Sequence, residues 1–154
     1  MNGAESSPGK VLDVARRILS RRDHGISELA RKLKARGFAP SQIQNALKEL
    51  EAGGYLDDTR CSRALLESEL GRGHGLAYVR AKLRQRGLPS SDDPSDLQAE
   101  AESLRLFVRR KNLLKSTLTG NAERAKILRF LRGRGYTASA IVAVLGPLAE
   151  EEQE

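Results

Sequence analysis

Tryptophan is missing from this 154-residue chain, and Tyr and Phe number three each. So few rings exclude one large aromatic core. No aromatic residues interleave with the basic clusters, so base stacking of the OB or RRM kind is not expected. A single cysteine, Cys61, excludes an internal disulfide and leaves no Cys–His set to complete a metal site. No apolar run reaches the ~18 residues that a membrane span needs. The first ten residues lack the basic-then-apolar order of a signal peptide. Sustained strand alternation is also absent. The expectation is a cytosolic, all-helical protein without a cofactor.

What is present is a phrase used three times. Leu33, Lys34, Ala35, Arg36, Gly37, Phe38 returns as Leu83, Arg84, Gln85, Arg86, Gly87, Leu88, and again as Leu131, Arg132, Gly133, Arg134, Gly135, Tyr136. The key leucines are 50 and 48 residues apart, a regularity that marks a repeat architecture. The phrase reads as a helix end. A Gly just past the helix takes positive φ without a Cβ penalty, and the flanking Leu and apolar residue make the contact of a Schellman stop. Backwards from each Leu the apolar spacing is helical: Ile26, Leu29, Leu33; Leu76, Val79, Leu83; Ile127, Leu131. Arg124 stands where the first copy has Ile26.

The expected architecture is an elongated tandem array of three-helix repeats. Residues 1–9 form a disordered leader, 10–56 the first repeat, 57–96 the second, 97–149 the third and 150–154 an acidic tail. Helix one spans about Val11 to Arg22 with Leu12, Ala15, Ile18 and Leu19 inward; helix two ends at Arg36; Pro40 opens helix three, which stops at Gly53-Gly54. Asp57-Asp58 are N-cap residues for the next helix. Pro89 to Ser95 is rich in breakers, so the third element of the second repeat is expected to be short, irregular or a linker, although Leu97 keeps the register of Leu47. Thr117 to Asn121 is a loop, and Thr137 caps the last helix, which ends at Gly146-Pro147.

The net charge is +7, and it is uneven. Residues 10–53 carry ten bases and five acids, 57–96 seven of each, and 97–149 ten bases and three acids. Such a surface suits a polyanion. Each key Leu is followed by a base (Lys34, Arg84, Arg132) and, two residues later, by Arg36, Arg86 or Arg134. Adjacent helical positions point about 100° apart, so a basic row runs beside the apolar one. Arg31, Lys32, Arg80, Lys82, Arg124, Lys126 and Arg129 widen the row. Further clusters are Arg109, Arg110, Lys111 and Lys115, and Arg16, Arg17, Arg21 and Arg22. The plainer reading is a solvated surface, with Arg36, Arg86 and Arg134 serving the helix dipole. Any nucleic-acid contact should be directed at phosphate, with little sequence preference.

Nothing reads as catalytic. His24 and His74 share a place in the repeat, nine residues before the key Leu, and belong to turns. Cys61 has no base partner. Gly71 to Gly75 follows a helix and lacks the Gly-Lys-Ser/Thr ending of a phosphate loop.

Leu19-Ser20-Arg21-Arg22-Asp23-His24, Glu28-Leu29, Lys32-Leu33, Arg36-Gly37-Phe38, Leu50-Glu51 and above all Gly54-Tyr55-Leu56-Asp57-Asp58-Thr59-Arg60 resemble the RecX family of recombination regulators. The resemblance covers about residues 11–148. It implies three-helix repeats in tandem, a cytosolic bacterial regulator, and binding to the filament that RecA recombinase forms on single-stranded DNA. It further implies inhibition of RecA ATPase, strand exchange and filament growth. A monomer is expected, though the sequence leaves the oligomeric state open. Two other readings compete. A helix-turn-helix or winged-helix DNA binder would place a hairpin wing after Leu56. A structural adaptor would pair the basic rows with an acidic protein face.

Overall fold

The computed structural model describes residues 7–117 and 120–147, without the side chains of 116 and 117. Among the described residues there are nine helices and no strand: α1 (Pro8–Leu19), α2 (Ile26–Ala35), α3 (Pro40–Ala52), α4 (Asp58–Gly71), α5 (Leu76–Arg86), α6 (Pro94–Arg110), α7 (Leu113–Thr117), α8 (Asn121–Gly133) and α9 (Ala138–Leu145). Residues 1–6 of the expected leader, 118–119 of the expected loop and the tail after Ala149 lie outside the described residues. The described part differs at several edges. Helix α1 begins at Pro8, where the missing N–H costs nothing, and stops at Leu19 rather than Arg22, while Thr117 closes α7 and Asn121 opens α8.

Two compact units form. One takes in the residues up to Ala64 together with Leu83–Pro89; the other takes in Leu65–Lys82 together with the residues from Ser90 onward. In the first unit α1, α2 and α3 pack on one another. Val11, Ala15 and Ile18 fall at i, i+4 and i+7 and bury one face of α1; Leu29 and Leu33 do the same for α2, and Ile43, Ala46 and Leu50 for α3. Phe38 and Leu56 complete the core. Leu12 and Leu19, read as inward, are only partly buried at its margin. Leu33 is fully buried, so Leu33→Ala is a ~2–5 kcal/mol change.

In the second unit α6 packs on α7 and α9, and α8 on α7 and α9. The core is Leu104, Phe107, Val108, Ile127, Leu131, Tyr136, Ala140 and Ile141. No helix occupies residues 87–93, and α6 then runs unbroken for 17 residues from Pro94, with Asp93 accepting from the Ser95 N–H at 2.8 Å. Leu97 is exposed on α6, which instead buries the carboxylates of Asp96 and Glu100 in these turns. Thr137 caps α9 through its hydroxyl, which accepts from the Ala140 N–H at 3.2 Å.

The three phrases are the same hydrogen-bonded object. Gly37, Gly87 and Gly135 have φ of 86°, 66° and 87°. The N–H after each Gly donates back to the key Leu carbonyl: Phe38 to Leu33 at 3.4 Å, Leu88 to Leu83 at 2.9 Å, Tyr136 to Leu131 at 3.2 Å. Each Gly N–H donates to the backbone carbonyl of the residue that follows that Leu: Lys34, Arg84 or Arg132. This is the paired pattern of a Schellman stop. The space after Leu56 holds α4, not a hairpin wing.

Candidate polyanion-binding surface

The two arginines of the later phrases have internal work. Arg86 Nη2 donates to the Asp23 carbonyl at 3.1 Å and to Glu28 Oε2 at 3.3 Å. Arg134 Nε donates to the Gly73 carbonyl at 2.6 Å and its Nη2 to the Arg72 carbonyl at 3.0 Å. Asp23 and Gly73 directly precede His24 and His74, so each Arg clasps the equivalent turn of the phrase before it. Arg134 also lies over the Phe107 and Phe130 rings, at 5.0 and 5.9 Å. No phrase precedes Arg36, and its guanidinium meets only the Lys32 carbonyl, at 3.0 Å.

Glycine lets the clasp close. A Cβ on Gly75 would lie 2.3 Å from the Gly135 carbonyl oxygen and the Tyr136 backbone. The Gly75 and Ala77 N–H groups donate to the Arg134 and Gly135 carbonyls. A Cβ on Gly25 would lie 2.6 Å from Leu88 Cδ2. Gly25 offers α2 no capping side chain, and Asp58 supplies one instead: its Oδ1 accepts the Ile26 N–H at 2.8 Å. Of the expected Asp57-Asp58 cap, Asp57 alone serves α4, through the Arg60 N–H. Glu100 does for α5 what Asp58 does for α2, accepting the Leu76 N–H at 2.8 Å, and it also takes Thr137 N–H and hydroxyl donors at 3.0 and 2.6 Å.

Besides Arg86, four of the row residues are turned toward carboxylates. Lys32 Nζ donates to His24 Nε2 at 2.8 Å and lies 3.9 Å from Glu28. His24 Nδ1 sits 2.8 Å from the Arg22 carbonyl, so the neutral tautomer carries its proton there. Burial, with Arg22 and Lys32 nearby, lowers the His24 pKa, in keeping with that tautomer. Lys82, one residue before its key Leu as Lys32 is, pairs with the buried Glu69, which His74 Nδ1 meets at 2.7 Å. Burial pushes the Glu69 and Glu28 carboxyls up. Hydrogen bonds from Lys82 and His74 with the charges of Lys82 and Arg72 outweigh it for the first, and Arg22 with Arg86 for the second, and hold both below the usual range. Arg124 donates to the Leu145 and Pro147 carbonyls, Lys126 pairs with Glu123 at 2.9 Å, and Arg80 lies 3.6 Å from Asp92.

What stays free is the other half of the row. Arg31, Lys34, Arg84, Arg109, Lys111, Arg129 and Arg132 are exposed and have no ion pair or side-chain hydrogen bond among the described residues. Arg110 is exposed too and lies over the Phe107 ring, at 5.7 Å. Two features lay beyond the sequence reading. Phe130, 45% exposed, stands beside Arg134 and interrupts the basic row with an aromatic face. A cavity of about 410 Å³ opens in the first unit, lined by Arg17, Arg21, Arg22, Lys32 and Arg36. Among the described residues no group of His, Cys, Asp and Glu could hold a metal, and no helix is long and apolar enough to cross a membrane. Cys61 is buried against the His24 carbonyl, and burial pushes its thiol up, away from a nucleophile's range.

Residues 12–50 match the family model described as RecX, first three-helix domain. The regulatory protein RecX of Halorhodospira halophila is 30% identical over 99% of this chain and 97% of its own length. Those of Vibrio vulnificus and Acidithiobacillus ferrooxidans are 33% and 34% identical, over 84% and 90% of this chain and 86% and 91% of their own. A crystal structure of regulatory protein RecX superposes with a TM-score of 0.70 at 18% identity, covering 91% of this chain and 73% of that one, and so shares the fold. The chain belongs to the RecX family of regulatory proteins.

Proposed function

We propose that this protein restrains RecA recombinase in the bacterial cytoplasm by binding, as a monomer, to the filament that RecA forms on single-stranded DNA. It performs no chemistry of its own. Binding lowers ATP hydrolysis and strand exchange and limits assembly. The observation that carries the reading is the division of labour in the repeated phrase. Arg86 and Arg134 clasp neighbouring turns, whereas Lys34, Arg84 and Arg132 are exposed and unpaired at the same place after each key Leu. Structural need accounts for the first set and not for the second. Positions that stay basic, solvated and without partners suit a polyanion. Arg31, Arg129, Arg109, Arg110 and Lys111 extend that contact to DNA phosphates or to RecA itself.

The test is sedimentation of RecA assembled on single-stranded DNA. The protein should pellet with the filaments and reduce their ATP hydrolysis. Protein that stays in the supernatant at low salt refutes the reading.

A further inference from the structure

The cavity in the first unit joins two stretches that are separate in sequence. Arg17 and Arg21 come from α1 and the turn after it, Arg22 from that turn, and Lys32 and Arg36 from the end of α2. Residues 14, 17, 18 and 21 follow helical i, i+3, i+4, i+7 spacing, so the arginines share a side with Val14 and Ile18, which also line the cavity. Lys32 and Arg36 are one helical turn apart and tied by the Arg36 to Lys32 carbonyl hydrogen bond. Five cations therefore line one concavity, and no carboxylate lines it.

The charge is only partly answered from within. Glu28 bonds Arg22 and lies 3.9 Å from Lys32, and it is shared with Arg86. Arg17 and Arg21 have no side-chain partner among the described residues, and Arg36 meets only a neutral carbonyl. The dipole of α1 accounts for Arg17, which lies in its last turn, but not for Arg21, which lies past Leu19. The volume, about 410 Å³, lies in the ~300–1,000 Å³ range of small-group clefts.

We infer that this cavity is a phosphate-binding site that takes one or two successive phosphates of a single nucleic-acid strand. Guanidinium forks match phosphate oxygens in pairs, which suits several arginines converging on one doubly liganded group. The source of the phosphate follows from what the lining lacks. It holds no aromatic ring except His24, whose two nitrogens are already engaged, and no amide side chain. It can grip a backbone and cannot read a base, which fits a strand running past rather than a captured nucleotide. The site gives the proposed filament reading a fixed point of contact on the first unit and rests on that reading only for its biological setting.

The experiment is fluorescence anisotropy of a labelled oligothymidylate with the full chain over a range of salt. Arg17→Ala/Arg21→Ala should weaken binding at least tenfold and lower the log–log salt slope by about 1.4, two phosphates at ~0.7 each. Lys48→Ala/Arg63→Ala removes the same charge from exposed positions off the cavity and should weaken binding less than about twofold. Equal loss in both pairs overturns the site, as does failure of the unaltered protein to bind the strand. Arg17→Lys/Arg21→Lys should restore the salt slope but only part of the affinity, since charge remains without fork geometry, and the melting temperature should be the same in all variants. Competition separates the sources: ATP should displace the strand only at millimolar concentration, and displacement at micromolar ATP overturns the strand assignment. RecA ATPase is read in parallel. Intact suppression with unchanged DNA binding by Arg17→Ala/Arg21→Ala removes the site and leaves the function. No suppression by the unaltered protein removes the function while the titration still decides the site.

Discussion

Replacing Glu100 by Ala should cost about 3 kcal/mol of stability. The carboxylate is fully buried and holds three donors: the Leu76 N–H at 2.8 Å, the Thr137 N–H at 3.0 Å and the Thr137 hydroxyl at 2.6 Å. One is the first N–H of α5, and the other two belong to the cap of α9. Each buried donor left without a partner costs ~1–3 kcal/mol. The Thr137 hydroxyl can turn elsewhere, so two donors carry most of the loss. Set against that is the charge: a buried carboxylate is itself expensive to desolvate, which pulls the net toward the low end. In a chain of this length about 3 kcal/mol lowers Tm by roughly 6–12 °C. Glu100→Gln keeps one acceptor oxygen and should lose about half as much. Urea unfolding followed by circular dichroism reads both variants. A Glu100→Ala protein within about 0.5 kcal/mol of the parent would refute the reasoning, because three close donors would then have found equal partners elsewhere.

Other perturbations separate the roles assigned above. Gly75→Ala forces a Cβ against the Gly135 and Tyr136 backbone and should lower Tm sharply, whereas Gly71→Ala, where a Cβ meets nothing, should be neutral or stabilise by up to ~1 kcal/mol. Arg134→Ala should lower Tm through its lost carbonyl and ring contacts, while Arg132→Ala should leave Tm alone and reduce the salt slope of DNA binding by ~0.7. Glu28 and Glu69 have folded-state pKa values held below normal by their cations, so their contribution is present above the ordinary carboxylate range and is lost as pH falls through the lowered values. Stability should therefore fall on the acid side, and Glu69→Gln should flatten that limb in a pH series of urea midpoints.

The repeated phrase was legible because it is local. A Schellman stop needs only a Leu, a Gly and an apolar residue within six positions, and all three phrases close as expected. Pro40, Thr137 and Gly146 likewise announce their helix ends. What was not legible depends on residues far apart. Asp58 reads as a cap for its own helix, yet it caps α2, 32 positions back. Arg86 and Arg134 read as dipole-serving cations, and their carbonyl partners lie 63 and 61 positions away. The same distance hid Glu100, an ordinary acid in the sequence that becomes the hub of two helix starts. His24 and His74 read as turn residues and are that, but their rings are also held by Lys32 and Glu69. Phe130 carried no assignment in the sequence, and only the packing of Phe107 and Arg134 behind it shows its face in solvent.

The central claim is that the free bases after each key Leu exist to engage a RecA filament. ATP hydrolysis by RecA on single-stranded DNA, titrated with this protein and with its Lys34→Ala/Arg84→Ala/Arg132→Ala variant, tests it most directly. Hydrolysis should fall with the parent protein and stay high with a variant that melts at the same temperature. Equal suppression by both, or none by the parent at saturating concentration and low salt, would contradict it.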